Sequence, residues 1–323
     1  MSLPAHVADY YFANIRLLPP NRRFHFASRV WAWNKDERAK PILETCRSVL
    51  APDPATAETL ANMFHALLHT PLNNDADIPA YTQREAYFVR YQPLYGLELA
   101  LFRLRHLEAV YGIGCRDAFT SAISTQELFD LEARLLSDRD ALKVLSTYAI
   151  NFLYLLHRVL LKSDEGIDVQ ALYNLKSNYD PSDKEALRLL VYLYTHCIVG
   201  ETNFYVRPIP DSLMSDYTQM LKVLETLITE HYTNLSLDAK LEFLVCCRIC
   251  NYETPLAARI HTECEHSLSP KGTFIIDTHN AFARVASKKT FEGSEHRNVL
   301  FIMSCSPYRL ASADNSAANR VKP

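Results

Sequence analysis

Cys246, Cys247, Cys250, His261, Cys264 and His266 form the densest run of side chains that ligate metals or exchange electrons. The Cys247-Arg-Ile-Cys250 spacing puts both sulfurs on one side of a helix, and His261-x-x-Cys264 follows ten residues later at similar spacing. Cys247, Cys250, His261 and Cys264 are therefore a candidate tetrahedral zinc set. The same cysteines sit in a core-like run that begins Leu241-Glu-Phe-Leu-Val, where cysteine behaves as a small hydrophobe. No glycine knuckle accompanies them, so buried thiols are the competing expectation, and zinc is the single cofactor weighed.

Three other segments offer acid–base or ligand-binding groups. In Asp277-Thr-His279-Asn280, aspartate can orient an imidazole and hold its pKa near neutrality, as a general base requires; the same residues can equally cap a helix starting near Thr278. Ser294-Glu-His-Arg-Asn298 runs directly into the apolar Val299-Leu-Phe-Ile-Met303, so the first turn of a buried helix presents His296, Arg297 and Asn298. Free N–H groups at such a turn favour an anion, and an exposed polar first turn accounts for the same residues. In Tyr194-Thr-His196-Cys197, a histidine near a helix C-terminus gains from the macrodipole or lines a cavity. His196, Asp277, His279 and His296 are the candidate catalytic residues. Arg248, Arg297 and Asn298 are the candidate ligand-binding ones. Convergence of His196, Arg248, His279 and His296 on one pocket would raise all four together.

Several reactions lack their motif. There is no G-x-x-x-x-G-K-[ST], G-x-S-x-G or H-E-x-x-H, and Gly112 with Gly114 lacks the third glycine of a dinucleotide loop.

The elements that must position these groups are helices. The chain has 323 residues, 48% of them apolar and 22% charged, enough for a sizeable core. It has 7 glycines, where average usage gives roughly 23; hairpin turns and phosphate-cradling loops therefore have little material. Leu142, Leu145, Ala149, Phe152, Leu153, Leu156 and Leu160 recur at helical spacing and predict one helix over 140–162; Leu213 to Ile228 predict another over 212–231. Asp53-Pro54, Asp180-Pro181 and Thr254-Pro255 are expected helix starts, and Ser124 with Glu127 and Ser182 with Glu185 fit capping boxes. Phe274-Ile275-Ile276 is the best short strand candidate.

The net charge of −3 gives no electrostatic footprint for nucleic acid. Residues 1–50 are locally basic, with eight basic side chains, Arg22 and Arg29 among them, against four acidic ones. That is the pattern of a solvated face or of a site for an anionic partner. No secretory signal is expected at Met1, since Pro4, His6 and Asp9 interrupt the apolar stretch. No run reaches the roughly 18 apolar residues of a membrane span. Eight cysteines within apolar helical segments suit reduced thiols in a cytoplasmic compartment.

From residue 140 the helices pair with short connections, and Cys197, Cys247 and Cys305 end similar apolar runs. Over Asp138 to Leu310 the chain resembles the α/α-toroid proteins, in which helical hairpins close into a ring. The resemblance implies an all-α fold of stacked antiparallel hairpins, as a toroid or an α-solenoid, around a central pocket. One helical domain over 1–310, with a possible subdivision near 113–138, and a disordered tail over 311–323 are expected. The leading functional expectation is a binding or interaction module for a peptide, protein or small apolar ligand. A lyase, transferase or hydrolase using histidine and carboxylate chemistry in the pocket is the alternative.

Overall fold

The computed structural model describes residues 2–71, 81–277 and 289–310, with 81–83 as backbone only. His279, the Asp75-Ala76-Asp77 cluster and the tail 311–323 lie outside the described residues. Sixteen α-helices and no strand occur among the described residues, so the chain is all-α. In order they begin with α1 (Leu3–Ala13), α2 (Pro20–Asn34), α3 (Ala39–Leu50), α4 (Ala57–Leu68) and α5 (Tyr81–Arg90). Next come α6 (Pro93–Tyr111), α7 (Arg116–Ala122), α8 (Thr125–Ser137), α9 (Arg139–Leu145), α10 (Thr147–Tyr154) and α11 (Val169–Asn174). The last five are α12 (Lys184–Glu201), α13 (Asp211–Glu230), α14 (Leu237–Ile249), α15 (Leu256–His266) and α16 (Glu295–Ser304). No helix among the described residues is long and apolar enough to cross a membrane.

Two compact units divide the chain. Unit 1 comprises Met1–Cys46 with Tyr205–Pro323, and unit 2 is Arg47–Phe204; the stretch 113–138 lies within unit 2.

In unit 1, α16 packs against α14, α2 and α1, while α14 also packs against α13 and α15. Both central helices are buried nearly all round. Ala239 to Cys247 of α14 are buried without interruption, as are Arg297 to Ser304 of α16. A helix that is apolar all round belongs in a core, yet these two carry charged residues in their first turns. Buried charge needs a partner, and Arg297 and Lys240 find theirs. Arg297 Nη2 donates to Asp238 Oδ2 at 2.8 Å, and Lys240 Nζ donates to Glu263 at 2.6 and 2.8 Å. The strand expected at Phe274–Ile276 reduces to one isolated antiparallel bridge, Leu268 to Ile275.

Unit 2 packs α10 against α12 and α6, α4 against α7 and α6, and α5 against α9. The single helix expected over 140–162 is broken. Ser146 takes a φ of 42°, its hydroxyl donates to Leu189 O at 3.0 Å, and Arg84 Nε donates to Val144 O at 2.9 Å. These tertiary bonds replace helical ones that periodicity alone assumes. Beyond α10 the chain widens into a π-turn over Leu155–Leu160. Arg116 donates from Nη1 to Leu160 O at 2.7 Å and from Nη2 to Val159 O at 3.0 Å, satisfying carbonyls at its end. The π-turn carries Arg158, whose guanidinium meets the fully buried carboxylate of Glu201 at 2.8 Å. A second irregular turn, Asn203 to Phe204 with φ of 48° and 53°, is held by Arg105, which donates to both carbonyls at 3.2 and 2.7 Å.

The expected caps divide. Ser124 and Glu127 make the capping box, and α13 fills the 212–231 helix. Thr254 Oγ1 accepts the Leu256 N–H at the start of α15. Thr56, however, caps α4 in place of Asp53, and Asp183 caps α12 in place of Asp180 or Ser182. In each of these two cases a side-chain acceptor nearer the first helical turn takes its N–H groups.

Candidate functional site

The site grows from three helices of unit 1. On α2, Arg22, His25 and Arg29 recur at spacings of three and four and so share one side of the helix. Opposite them, α16 opens with Glu295 and His296, and α14 contributes Asp238 and Glu242 to the same electrostatic neighbourhood. Nδ1 of His25 stands 2.8 Å from Oε1 of Glu295, and the His25 and His296 rings lie 5.4 Å apart. The Glu295 side chain is 0% exposed, whereas His25 is 25% and Arg22 40% exposed. The cluster thus has a buried carboxyl at its base and an open edge.

Burial sets its electrostatics. Desolvation raises Glu295 from the usual carboxylate range to about 7, although His296, Arg29 and Arg22 pull the other way. The same desolvation lowers His296 to about 3, with the Arg29 charge adding to it. His25 is held well below the ordinary imidazole value by burial and by Arg29 and Arg22. At neutral pH both rings are therefore uncharged, and the carboxyl is poised between its two forms.

Among the polar atoms of Arg22, His25, Arg29, Glu295 and His296, two buried ones lack a hydrogen-bond partner within the described residues. They are Oε2 of Glu295, whose nearest cation is Arg22 Nη1 at 3.6 Å, and the buried Nε of Arg29. Around them the framework is tied down. Tyr11 Oη donates to Phe291 O at 3.0 Å and lies 3.2 Å from Ser294 Oγ, just before Glu295.

Of the residues singled out from sequence, His296 belongs to this cluster, while Arg297 and Asn298 are held by protein partners. Arg297 is committed to Asp238. Asn298 accepts the Ile275 N–H at 2.8 Å and donates to the carbonyls of Ile275 and Ser294 at 2.9 and 2.8 Å, an architectural use of every polar atom. Asp277 accepts the Leu237 N–H at 3.2 Å, adding a tertiary bond to the first turn of α14, which Ser236 caps. His196 is in unit 2. There its Nδ1 lies 2.7 Å from Asn151 Oδ1, and Asn151 Nδ2 donates to Glu98 Oε1 at 2.7 Å. Burial raises that Glu98 carboxyl to about 8.

The candidate metal ligands meet a different environment. Burial pushes the Cys247 and Cys264 thiols far up and Cys250 to about 12. All eight cysteines are free, seven of them buried. His261 turns to Ser304 Oγ at 3.3 Å and Cys305 Sγ at 3.6 Å. Among the described residues no three His, Cys, Asp or Glu side chains gather as a group that could hold a metal ion. Cys247, Arg248 and His261 instead line a groove of about 320 Å³, where Arg248 Nε donates to Ser304 O at 2.9 Å.

His25, Glu295 and Arg29 were not among the candidate site residues drawn from sequence. The signal was present in the Arg22, His25, Arg29 spacing within the basic amino-terminal segment, but only packing of α2 on α16 supplies the carboxyl. No protein-family model matches the chain, and comparison with curated proteins and with solved structures found no match.

Proposed function

We propose that unit 1 is the catalytic part of an enzyme that moves a proton on a small polar substrate, in lyase, transferase or hydrolase chemistry, with His25 and Glu295 as its acid–base pair. The observation that carries this reading is the fully buried Glu295 carboxyl, 2.8 Å from His25 and with one oxygen lacking a hydrogen bond. Titratable groups shifted toward neutrality cluster at active sites. Neutral His25 accepts a proton and Glu295 steadies the imidazolium that forms, the division of labour of a histidine–carboxylate dyad. His296, uncharged beside them, is suited to donate or accept a hydrogen bond. Packing of α13 on α14 and of α14 on α15 supports the stacked-hairpin arrangement expected of toroid and solenoid proteins.

The test is to incubate the purified chain with a mixed polar metabolite extract and follow consumption by mass spectrometry. At least one compound should disappear with the wild type and persist with Glu295→Gln and with His25→Gln, both folded by circular dichroism. Identical traces for all three proteins would sink the reading.

A second reading, a protein or peptide docking module, draws on unit 2. Phe129 and Leu136 are 39% and 47% exposed on α8, seven residues apart and so on one side of it. A protein that co-purifies with the wild type and is lost from a Phe129→Ser, Leu136→Ser double variant would favour this reading, and unchanged co-purification would count against it.

A further inference from the structure

Resting on the acid–base reading, we infer that the substrate carries an oxyanion, a carboxylate or a phosphate, held by Arg29 and Arg22 on either side of His25. The two arginines are seven residues apart on α2, so they flank His25 on the face that meets α16. A guanidinium offers a rigid fork of N–H donors matched to two oxygens of one anion. Neither guanidinium is closed off: Arg22 makes one loose ion pair, with Glu295, and Arg29 pairs with no carboxylate among the described residues, although its side chain also reaches Tyr205. Arg22 Nη1 stands 3.6 Å from Glu295 Oε2, beyond hydrogen-bond length, and the buried Nε of Arg29 has no hydrogen-bond partner among the described residues.

The surrounding charges leave room for a negative group. Asp238 is matched by Arg297, and Lys240 by Glu263, so those two pairs add little net field. Glu242 acts on His296 and Tyr205 from the α14 side. At His25 the charges that act are Arg29 and Arg22, both positive. An oxyanion placed there meets two guanidinium groups, two neutral imidazoles and a carboxyl that burial keeps largely protonated below neutrality. Bound so, it brings the substrate's reacting centre beside the histidine–carboxylate pair, which is the positioning that acid–base chemistry requires.

Isothermal titration calorimetry on the full chain at pH 6.5 tests this, with inorganic phosphate and succinate as separate probes and sodium chloride matching the ionic strength. One probe should bind, and Arg29→Gln should weaken it at least tenfold, the loss of one charge-assisted bond. Arg22→Gln, at a position already 40% exposed and so tolerant in folding, should weaken it similarly. Lys222→Gln on the exposed face of α13 should leave it unchanged. Binding of phosphate alone or of succinate alone identifies the class of anion. Absence of heat for both probes, or equal affinity in Arg22→Gln and wild type, overturns the inference. Glu295→Gln separates the two readings, since it should abolish turnover yet retain the anion. Turnover that depends on Glu295 without anion binding would leave the acid–base pair standing and remove the oxyanion.

Discussion

Nδ1 of His25 on α2 and Oε1 of Glu295 on α16 meet at 2.8 Å across 270 positions of sequence. The carboxyl in that contact is completely buried, and its proton is held more tightly in the folded chain than in the unfolded one. The consequences extend from chemistry to stability.

For a carboxyl raised to about 7, from an unfolded value of about 4.3, the folded state binds the extra proton. Its contribution is fully present below about pH 4 and is lost as pH rises through 7. Glu295→Gln removes that loss. At pH 8 the variant should be more stable than wild type by about 1–3 kcal/mol, with little difference at pH 4.5. Urea unfolding at the two pH values measures the gap, and a gap of equal size at both would contradict the buried, poised carboxyl.

Gly96 on α6 has an interior helical position, where alanine ordinarily stabilises by about 1 kcal/mol. Here the sign should reverse. A methyl group at Gly96 would come within 2.3 Å of the backbone oxygen of Leu68 at the end of α4, an atom that cannot rotate away. Gly96→Ala should therefore destabilise by about 2 kcal/mol or more. A thermal melt equal to or above that of wild type would show that α4 and α6 are not so closely apposed.

Arg158 and Glu201 are paired with 1% and 0% side-chain exposure. Removing either partner strands a buried charge, so Arg158→Met and Glu201→Met should each destabilise by about 3–5 kcal/mol. The double replacement should be far less damaging than the sum, since two apolar side chains then face each other. Additive losses in denaturant titration would mean that the two groups act separately.

The thiols offer a direct reading of burial. Cys115 and Cys250 are pushed up to about 12 and Cys305 to about 11 by desolvation. Native protein at pH 8 should react with a disulfide-exchange reagent at least about 100-fold more slowly than unfolded protein, because thiolate is the reactive form. Half-buried Cys305 should label first. Rapid labelling of Cys247 would restore a reactive role to the Cys247 and Cys250 pair.

Much of the architecture was legible because it is local. The low glycine content, the three-and-four spacing of Leu213 to Ile228 and the Ser124–Glu127 box report on backbone conformation within a few residues, and the all-α fold follows. Legibility failed where a distant side chain intervened. Ser146 and Arg84 interrupt a helix whose own periodicity was unbroken, and Asp183 rather than Asp180 reaches the first turn of α12.

The candidate site divides in the same way. Sequence alone pointed to Ser294 to Asn298 as the polar opening of an apolar helix, whereas the helix that brings Arg22, His25 and Arg29 to one side was not drawn from it. Which of those groups face one another was decided only by packing. The α2 and α16 contact turned Glu295 into the partner of His25, while Asp238 claimed Arg297 and Ile275 claimed Asn298. Helical spacing assigns residues to faces, but desolvation and partner choice depend on what the opposite face brings, and these set the charge state of Glu295, His25 and His296.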